Sequence, residues 1–197
     1  APGSAPLGGV AVLAEDTHLA RTVADSLEIE WTESPNDRFD SNRHQAELRR
    51  AVQAPQPSMF ETGNVTAAFE EGGTALEALY ETPFLSHAPM EPPCAVARVS
   101  ADKCEVWAPV QDPLSTRDLV ADYLQMPPEQ VTINVTLLGG AFGRKSKPDF
   151  VLEAVELAKR SMRPVRVVWS REDDIHHDYF HAASAQYHKA TLSESGL

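Results

Sequence analysis

Residues 139–145, GGAFGRK, combine three glycines with an aromatic side chain and two cations. Glycines between a strand and a helix allow backbone N–H groups to approach a bound anion closely. The spacing fits neither a Walker A loop, which needs a lysine directly after its last glycine, nor the dinucleotide fingerprint G-x-G-x-x-G. The residues alone leave two interpretations, an anion-binding loop or an ordinary tight turn. Phe142 accordingly either packs into the core or presents its ring to a ligand.

Gln111 is a second candidate, because it lies on a rigid turn between Pro109 and Pro113 at the end of a predicted strand. A glutamine amide held in this way can donate a hydrogen bond to a bound group. Alone, such a residue is more often solvated, so its role depends on what the fold places beside it.

Histidines and acids are concentrated in REDDIHHDYFH, residues 171–181. His177 and His181 have the i, i+4 spacing that would place them on one face of a helix, where both could bind one metal ion. No zinc-type set is complete, and such residues are frequent in solvated segments, so we predict no metal site. His87 and Glu91 lie in the proline-rich HAPMEPP, where a metalloprotease helix cannot form, and a structural role is predicted for both.

The elements that position these residues follow from hydrophobic periodicity. VTINVTLL, before the loop, alternates as a half-buried strand, and the apolar residues after the loop recur at helical spacing. Strands and helices alternate without a uniform βαβ rhythm, so we predict an α+β fold with a mixed sheet and flanking helices. The other elements predicted in this half are strands at 94–100, 104–109, 164–170 and 185–193 and a helix at 114–124.

The first third of the chain differs in composition. Residues 9–31 predict a compact strand–helix–strand unit, with Asp16 as the helix cap. Residues 32–63 are polar and proline-bearing, with one short helix-like stretch, and predict a linker. We therefore divide the chain into residues 1–63 and residues 64–197.

Charge and cysteine content exclude some functions. A net charge of −12 disfavours nucleic acid as a partner. Two cysteines cannot hold an iron–sulfur cluster, which needs about four ligands. In the predicted hairpin Cys104 faces Ser100 and Cys94 faces Val110, so we expect no disulfide. No cationic region precedes the first apolar stretch, as a signal peptide would require, and we interpret both ends as cut from a longer chain.

Four segments occur in the order HAPMEPPCAVARV, CEVWAPVQDP, LLGGAFGRK and PVRVVWSREDD. Together they resemble the large, molybdenum-cofactor-binding subunit of the xanthine dehydrogenase / aldehyde oxidase family, most of all the isoquinoline 1-oxidoreductase β-subunit type. Residues 8–31 are similar to the small α/β hammerhead module that precedes the cofactor domain. The resemblance implies the end of a hammerhead-like module and a linker over 1–63, and the N-terminal part of a molybdopterin-binding domain over 64–197.

The resemblance also implies roles for single residues. The loop lies beside the molybdenum–pterin group in the family, Gln111 matches a glutamine that hydrogen-bonds a molybdenum oxygen, and Phe142 matches the aromatic residue at the substrate mouth. Ala141 stands where the family usually has a third glycine. Arg144 and Lys145 are placed where positive charge would favour an anionic cofactor. The implied cofactor-binding residues are Gln111, Gly139, Gly140, Ala141, Phe142, Gly143 and Arg144.

The implied reaction is hydroxylation of an aldehyde or an N-heterocycle with water-derived oxygen. The family's partners are a 2Fe–2S subunit and, in some relatives, a cytochrome c subunit. The glutamate base of the family lies in a G-x-G-E-type motif that this sequence lacks. Where some relatives have a glutamate after the glycine loop, this chain has Ser146.

From these differences we expect this chain to be an inactive fragment without a catalytic residue. It would not tightly hold the cofactor, whether plain molybdopterin or its cytosine dinucleotide form. For the full protein we favour the bacterial periplasm or a membrane-associated location, with the cytoplasm as the alternative. The alternative function is a stand-alone nucleotide- or anion-binding module that uses residues 139–143.

Overall fold

The computed structural model describes residues 8–54 and 57–193 of the chain. These form two compact units, each discontinuous in sequence. One contains the residues up to Glu30 together with Ser86–Tyr179, and the other contains Trp31–Leu85 together with the residues from Phe180 onward.

The described part of the chain contains both helices and strands, as predicted. The helices are α1 (Thr17–Ala24), α2 (Ser41–Gln53), α3 (Val65–Glu70), α4 (Pro113–Leu124), α5 (Asp149–Ser161) and α6 (Arg171–His176). The strands are β1 (Thr74–Thr82), β2 (Cys94–Val99), β3 (Cys104–Ala108), β4 (Val131–Val135), β5 (Val165–Val168) and β6 (Ser184–Leu192). Short 3-10 helices occur at Pro35–Arg38, Pro128–Gln130 and Arg144–Ser146. No helix among the described residues is long and apolar enough to cross a membrane.

The first unit is built on a four-stranded sheet in the order β4-β3-β2-β5. β3 and β4 are parallel, whereas β2 is antiparallel to both of its neighbours. This mixed sheet with flanking helices confirms the predicted α+β class. In the β2–β3 hairpin Val99 faces Cys104, one residue away from the expected partner Ser100, because Ser100 already belongs to the turn, where its N–H donates to Lys103. Both cysteines are free thiols.

The core of this unit lies between the sheet and α5. Strand residues such as Ala97 and Val106 are completely buried, and they contact the apolar face of α5, where Phe150 and Val155 are also inaccessible. Periodic burial on a helix and alternating burial on strands are what a helix packed on a sheet requires. The end of β4 and the start of α5 are fixed in this way, and the glycine loop connects them.

The two strands predicted within residues 9–31 do not form. The helix between them is present as α1, capped by the Asp16 carboxylate at the N–H of Leu19, but neither flanking segment is a strand. Extended chain becomes a strand only when another strand pairs with it, and within the described residues none pairs with these segments. The strand predicted in VTINVTLL forms as β4 but ends at Val135, the last residue paired with β3, just before the Thr136 N–H donates to the Ala108 carbonyl. The hammerhead-like character of the first 63 residues stays a prediction, as does the division at residue 63.

The second unit contains α2, α3 and a ribbon in which β1 and β6 pair antiparallel over nine residues each. α2 lies against β6, and Gln45 on α2 donates to the Ser184 carbonyl and to the Glu81 carboxylate. Arg49 contacts the same carboxylate at 2.6 Å. The short helix-like stretch predicted within residues 32–63 is confirmed as α2.

Candidate functional site

The glycine loop takes a backbone path that few residues other than glycine adopt easily. Gly140 and Gly143 have φ of +95° and +106°, and Phe142 between them has φ of +56°. A left-handed conformation costs an ordinary L-residue about 1–2 kcal/mol. The turn closes where the Arg144 N–H donates to the Ala141 carbonyl at 2.9 Å, and a 3-10 turn then leads into α5.

The loop leaves a row of backbone donors without protein acceptors. Within the described residues, the N–H groups of Gly140, Ala141, Phe142 and Gly143 donate to no carbonyl or side chain. Phe142 is 69% exposed, so its ring does not pack into the core, whereas Ala141 is buried. Unpaired N–H groups at small residues before a helix are the arrangement by which proteins hold anionic or strongly polar groups.

Glu91 ties the two ends of the loop together. Its Oε2 accepts from Lys145 Nζ at 2.6 Å and from the Gly139 N–H at 3.0 Å, while its own N–H donates to the Gly139 carbonyl at 2.9 Å. A Cβ at Gly139 would stand 2.6 Å from the Glu91 Cβ, so only glycine fits there. Partial burial by itself would raise the pKa of Glu91, but the hydrogen bonds from Lys145 and Gly139 outweigh it and lower the pKa.

Arg144 supports the loop from the protein interior. Its guanidinium is fully buried and bonds both oxygens of Asp149 at 2.9 Å. Trp169 and Tyr179 lie with their ring centres 5.1 Å from the guanidinium carbon, within cation–π distance. Its Nε is 3.2 Å from Asp178 Oδ1 but is not aligned for a hydrogen bond.

These ion pairs change the expectation that Arg144 and Lys145 present positive charge to a ligand. Both side chains are completely buried, and each already has a carboxylate partner, Asp149 for Arg144 and Glu91 for Lys145. The donors left on the loop are therefore backbone N–H groups. Direct contact between the Arg144 guanidinium and a bound group would require the pair with Asp149 to open.

Asp178 holds the segment that lies behind the loop. Its carboxylate accepts from the Ser86 hydroxyl at 2.7 Å, from the His87 N–H, and from His87 Nδ1 at 2.9 Å. Burial would raise the pKa of Asp178, but the hydrogen bonds from Ser86 and His87 outweigh it and lower the pKa. On the other side of His87, its Nε2 stands 3.4 Å from where a Cβ on Gly143 would be.

Helix α6 fastens the neighbouring proline-rich segment. Arg171 donates to the carbonyls of Pro89 and Met90 and pairs with the buried Asp174. Burial raises the pKa of Asp174, and among the described residues its Oδ1 has no hydrogen-bond partner.

The acid- and histidine-rich segment thus anchors residues 86–90. His177 caps α6 and His181 lies beyond it, so the two do not share a helix face. Within the part of the chain that the structure describes, no group of histidines, cysteines and acids is arranged to hold a metal ion.

Gln111, the second candidate residue, contacts the end of the loop. Its N–H donates to the Lys145 carbonyl at 3.0 Å, and its side chain is exposed. The fold therefore brings Gln111 and residues 139–145 together. Their binding of a cofactor stays a prediction at this point.

Sequence reasoning missed the two carboxylates that support the loop. Asp149 has a local signal, since it lies five residues after Arg144 in the first turn of a predicted helix. Asp178 has none, because its partner His87 is 91 residues away in sequence.

A comparison with known protein families matches residues 46–197 to the molybdopterin cofactor-binding domain. The chain belongs to this family. The match covers most of the chain and includes the glycine loop, Gln111 and the supporting carboxylates. It confirms the resemblance to the molybdenum-cofactor-binding subunits of the xanthine dehydrogenase / aldehyde oxidase family.

Individual relatives agree with this assignment to the family. It is 30% identical to isoquinoline 1-oxidoreductase subunit beta of Brevundimonas diminuta, over 94% of this chain and 25% of the relative. It is 27% identical to the aldehyde oxidoreductase molybdenum-binding subunit of Escherichia coli K12, again over 94% and 25%. The solved structure of a Cu,Mo-CO dehydrogenase covers 93% of this chain and 26% of its own, with a TM-score of 0.68 and 16% identity, which supports the fold alone.

The chain thus spans about a quarter of the length of these curated relatives. None of the comparisons supports the alternative of a stand-alone nucleotide- or anion-binding module.

Proposed function

We propose that this chain supplies part of the cofactor cradle of a molybdenum hydroxylase that oxidises an aldehyde or an N-heterocycle. One observation carries the proposal: four consecutive N–H groups, from Gly140 to Gly143, have no protein acceptor in the described part, and the loop that carries them is bonded to Gln111 at Lys145. In a chain of the molybdopterin-binding family, such a row is suited to hold the polar edge of that cofactor.

The residues of the chain fit that group in three respects. The N–H row is the loop's own set of hydrogen-bond donors, because the side chains of both loop cations are already paired with carboxylates. The exposed amide of Gln111 can donate a further hydrogen bond. The exposed ring of Phe142 supplies an apolar wall at the substrate entrance. When bound, the molybdenum–pterin group supplies the redox chemistry, and the protein binds and orients it.

The proposal gives Arg144 a supporting role in cofactor binding. The Asp149 pair and the two flanking rings hold its side chain, and its own backbone closes the turn at Ala141. A guanidinium fixed in this way sets the direction of the loop's N–H groups. Gly139 contributes similarly, since it binds Glu91 through both its N–H and its carbonyl.

We further propose that the isolated chain holds no molybdenum tightly and is inactive. The sequence contains no G-x-G-E motif, and Ser146 provides no carboxylate after the loop. Relatives named as subunit beta and molybdenum-binding subunit support the presence of further subunits in the full protein, which we propose to be a 2Fe–2S subunit, with or without a cytochrome c subunit. Export to the periplasm or a membrane-associated location remains part of this proposal.

Molybdenum content, measured by plasma mass spectrometry, tests both statements. The 197-residue chain and the longer subunit that includes a G-x-G-E segment are purified from cells that make the cofactor. We expect stoichiometric molybdenum in the longer subunit and little in the chain. Stoichiometric metal in the isolated chain would refute its proposed emptiness, and no metal in the longer subunit would refute the cofactor function itself.

A further inference from the structure

His87 is placed between a buried carboxylate and the glycine loop. One ring nitrogen, Nδ1, is 2.9 Å from Asp178 Oδ1, and the side chain is only 10% exposed. The opposite edge of the ring faces Gly143, where a Cβ would stand 3.4 Å from Nε2 and 3.7 Å from Cδ2. The imidazole therefore reaches from the interior to the backbone of the loop that carries the N–H row.

Asp178 fixes both the orientation and the tautomer of this ring. An ionised carboxylate can only accept hydrogen bonds, so Nδ1 carries the proton of the neutral ring. Nε2 is then the acceptor of the neutral ring. The same carboxylate accepts from the Ser86 hydroxyl and the His87 N–H, so it cannot turn without breaking three hydrogen bonds.

The imidazole lies at ordinary van der Waals distance from the Cβ position of Gly143, 3.4 Å at Nε2 and 3.7 Å at Cδ2. The φ of +106° at Gly143 belongs to the same left-handed turn that exposes the N–H row. The Nε2 edge of His87 is therefore packed against the loop itself.

We propose that His87 is a further polar contact for the group bound on the glycine loop, and that Asp178 is the positioning residue that directs its Nε2 there. This rests on the function proposed above, since it assigns the bound group to the molybdenum cofactor. It changes the structural role that sequence reasoning gave to His87.

Histidine labelling of the molybdenum-containing enzyme provides the direct test. The enzyme is prepared with ¹⁵N-histidine, partly reduced with dithionite, and examined by pulsed electron paramagnetic resonance of its molybdenum. We expect a ¹⁵N hyperfine coupling that is lost in His87→Asn. A wild-type enzyme with full molybdenum content and no histidine coupling would overturn the proposal, whereas an enzyme without molybdenum would count against the proposed function.

Two substitutions distinguish the role of Nδ1 from that of Nε2. In His87→Asn the amide can still donate to Asp178 but leaves nothing at the Nε2 position, while the longer His87→Gln places an amide near that position. We expect His87→Asn to shift the molybdenum spectrum and His87→Gln to restore much of it. If His87→Asn leaves the spectrum unchanged at full molybdenum content, or if both substitutions shift it equally, His87 acts only through Asp178 and the proposal is wrong.

Discussion

The four-stranded sheet with its glycine loop and the β1–β6 ribbon are stabilised by different interactions. In the two central strands, β2 and β3, buried residues alternate with more exposed ones, and α5 covers them with side chains of zero exposure. In the ribbon no residue of either strand is buried. A two-stranded ribbon without a buried face has marginal stability. The region that positions the candidate site is thus the one with its own core.

The ion pairs of the two regions differ in the same way. Arg144 and Lys145 are completely buried beside their carboxylates, whereas Glu77 and Lys189 in the ribbon are each about half exposed. Buried pairs hold geometry because losing one partner leaves an uncompensated charge, and exposed pairs contribute little. The two cations of the loop therefore hold the loop in one conformation.

The largest effect is expected from Arg144→Met. It leaves Asp149 and Asp178 buried without their cation, at a cost of about 3–5 kcal/mol in the free energy of unfolding. Arg117→Met is the matched control, because the Arg117–Asp118 pair is exposed and should cost less than about 1 kcal/mol. Urea unfolding measures both, and equal losses would show that the buried pair gives no special support.

Leucine truncation compares the two regions with one chemical change. Leu152→Ala in α5 removes a side chain that is 1% exposed and should cost about 2–5 kcal/mol. Leu76→Ala in β1 removes one that is 51% exposed and should cost about 0.5 kcal/mol. Denaturant titration measures the loss of unfolding free energy for both variants. A larger loss for Leu76→Ala would mean that the ribbon has a core of its own.

Amide hydrogen exchange should be faster in the ribbon than in the four-stranded sheet. Opening of β1 and β6 exposes little apolar surface, so their amides should exchange at least about a hundredfold faster than those of β3 in the sheet centre. Mass spectrometry of peptides from Thr74–Thr82 and Cys104–Ala108 measures this in one sample. Similar protection in both peptides would contradict the separation.

Acid sensitivity should differ between Glu91 and Glu77. In the ribbon, hydrogen bonds from Tyr187 and then Lys189 lower the pKa of Glu77, and the pKa of Glu91 is lowered as well. A carboxyl whose folded pKa lies below its unfolded value stabilises the fold above that unfolded value, near 4.5, and this contribution is lost as the pH falls through the folded pKa.

Glu91→Gln should therefore flatten the loss of stability between about pH 5 and pH 3. Glu77→Gln should do so less, because solvent and salt screen an exposed pair. Unfolding free energies measured across this range at low and high salt provide the check. An acid limb unchanged by Glu91→Gln would show that the contacts of Glu91 do not stabilise the loop.

Much of the sheet and helix framework could be predicted from the sequence, because periodicity reports which face of an element is buried. The strand at 131 and the helix after the loop are examples. The expected strands beside α1 failed because alternation cannot reveal whether a partner strand exists. The supporting contacts of the loop were beyond reach for a similar reason. Glu91 is 54 residues from Lys145, and Asp178 is 91 from His87, so only the fold brings them together.

Molybdenum content after substitution of a loop glycine tests the central claim most directly. Gly140 and Gly72 have similar positive φ, +95° and +88°, so valine is strained by the backbone at both. Gly140 lies in the N–H row, whereas Gly72 lies outside it with open space at its Cβ position. In the longer molybdenum subunit proposed above, we predict that Gly140→Val loses the metal while Gly72→Val keeps it. Full molybdenum content in a folded Gly140→Val protein would contradict the assignment of this loop to the cofactor.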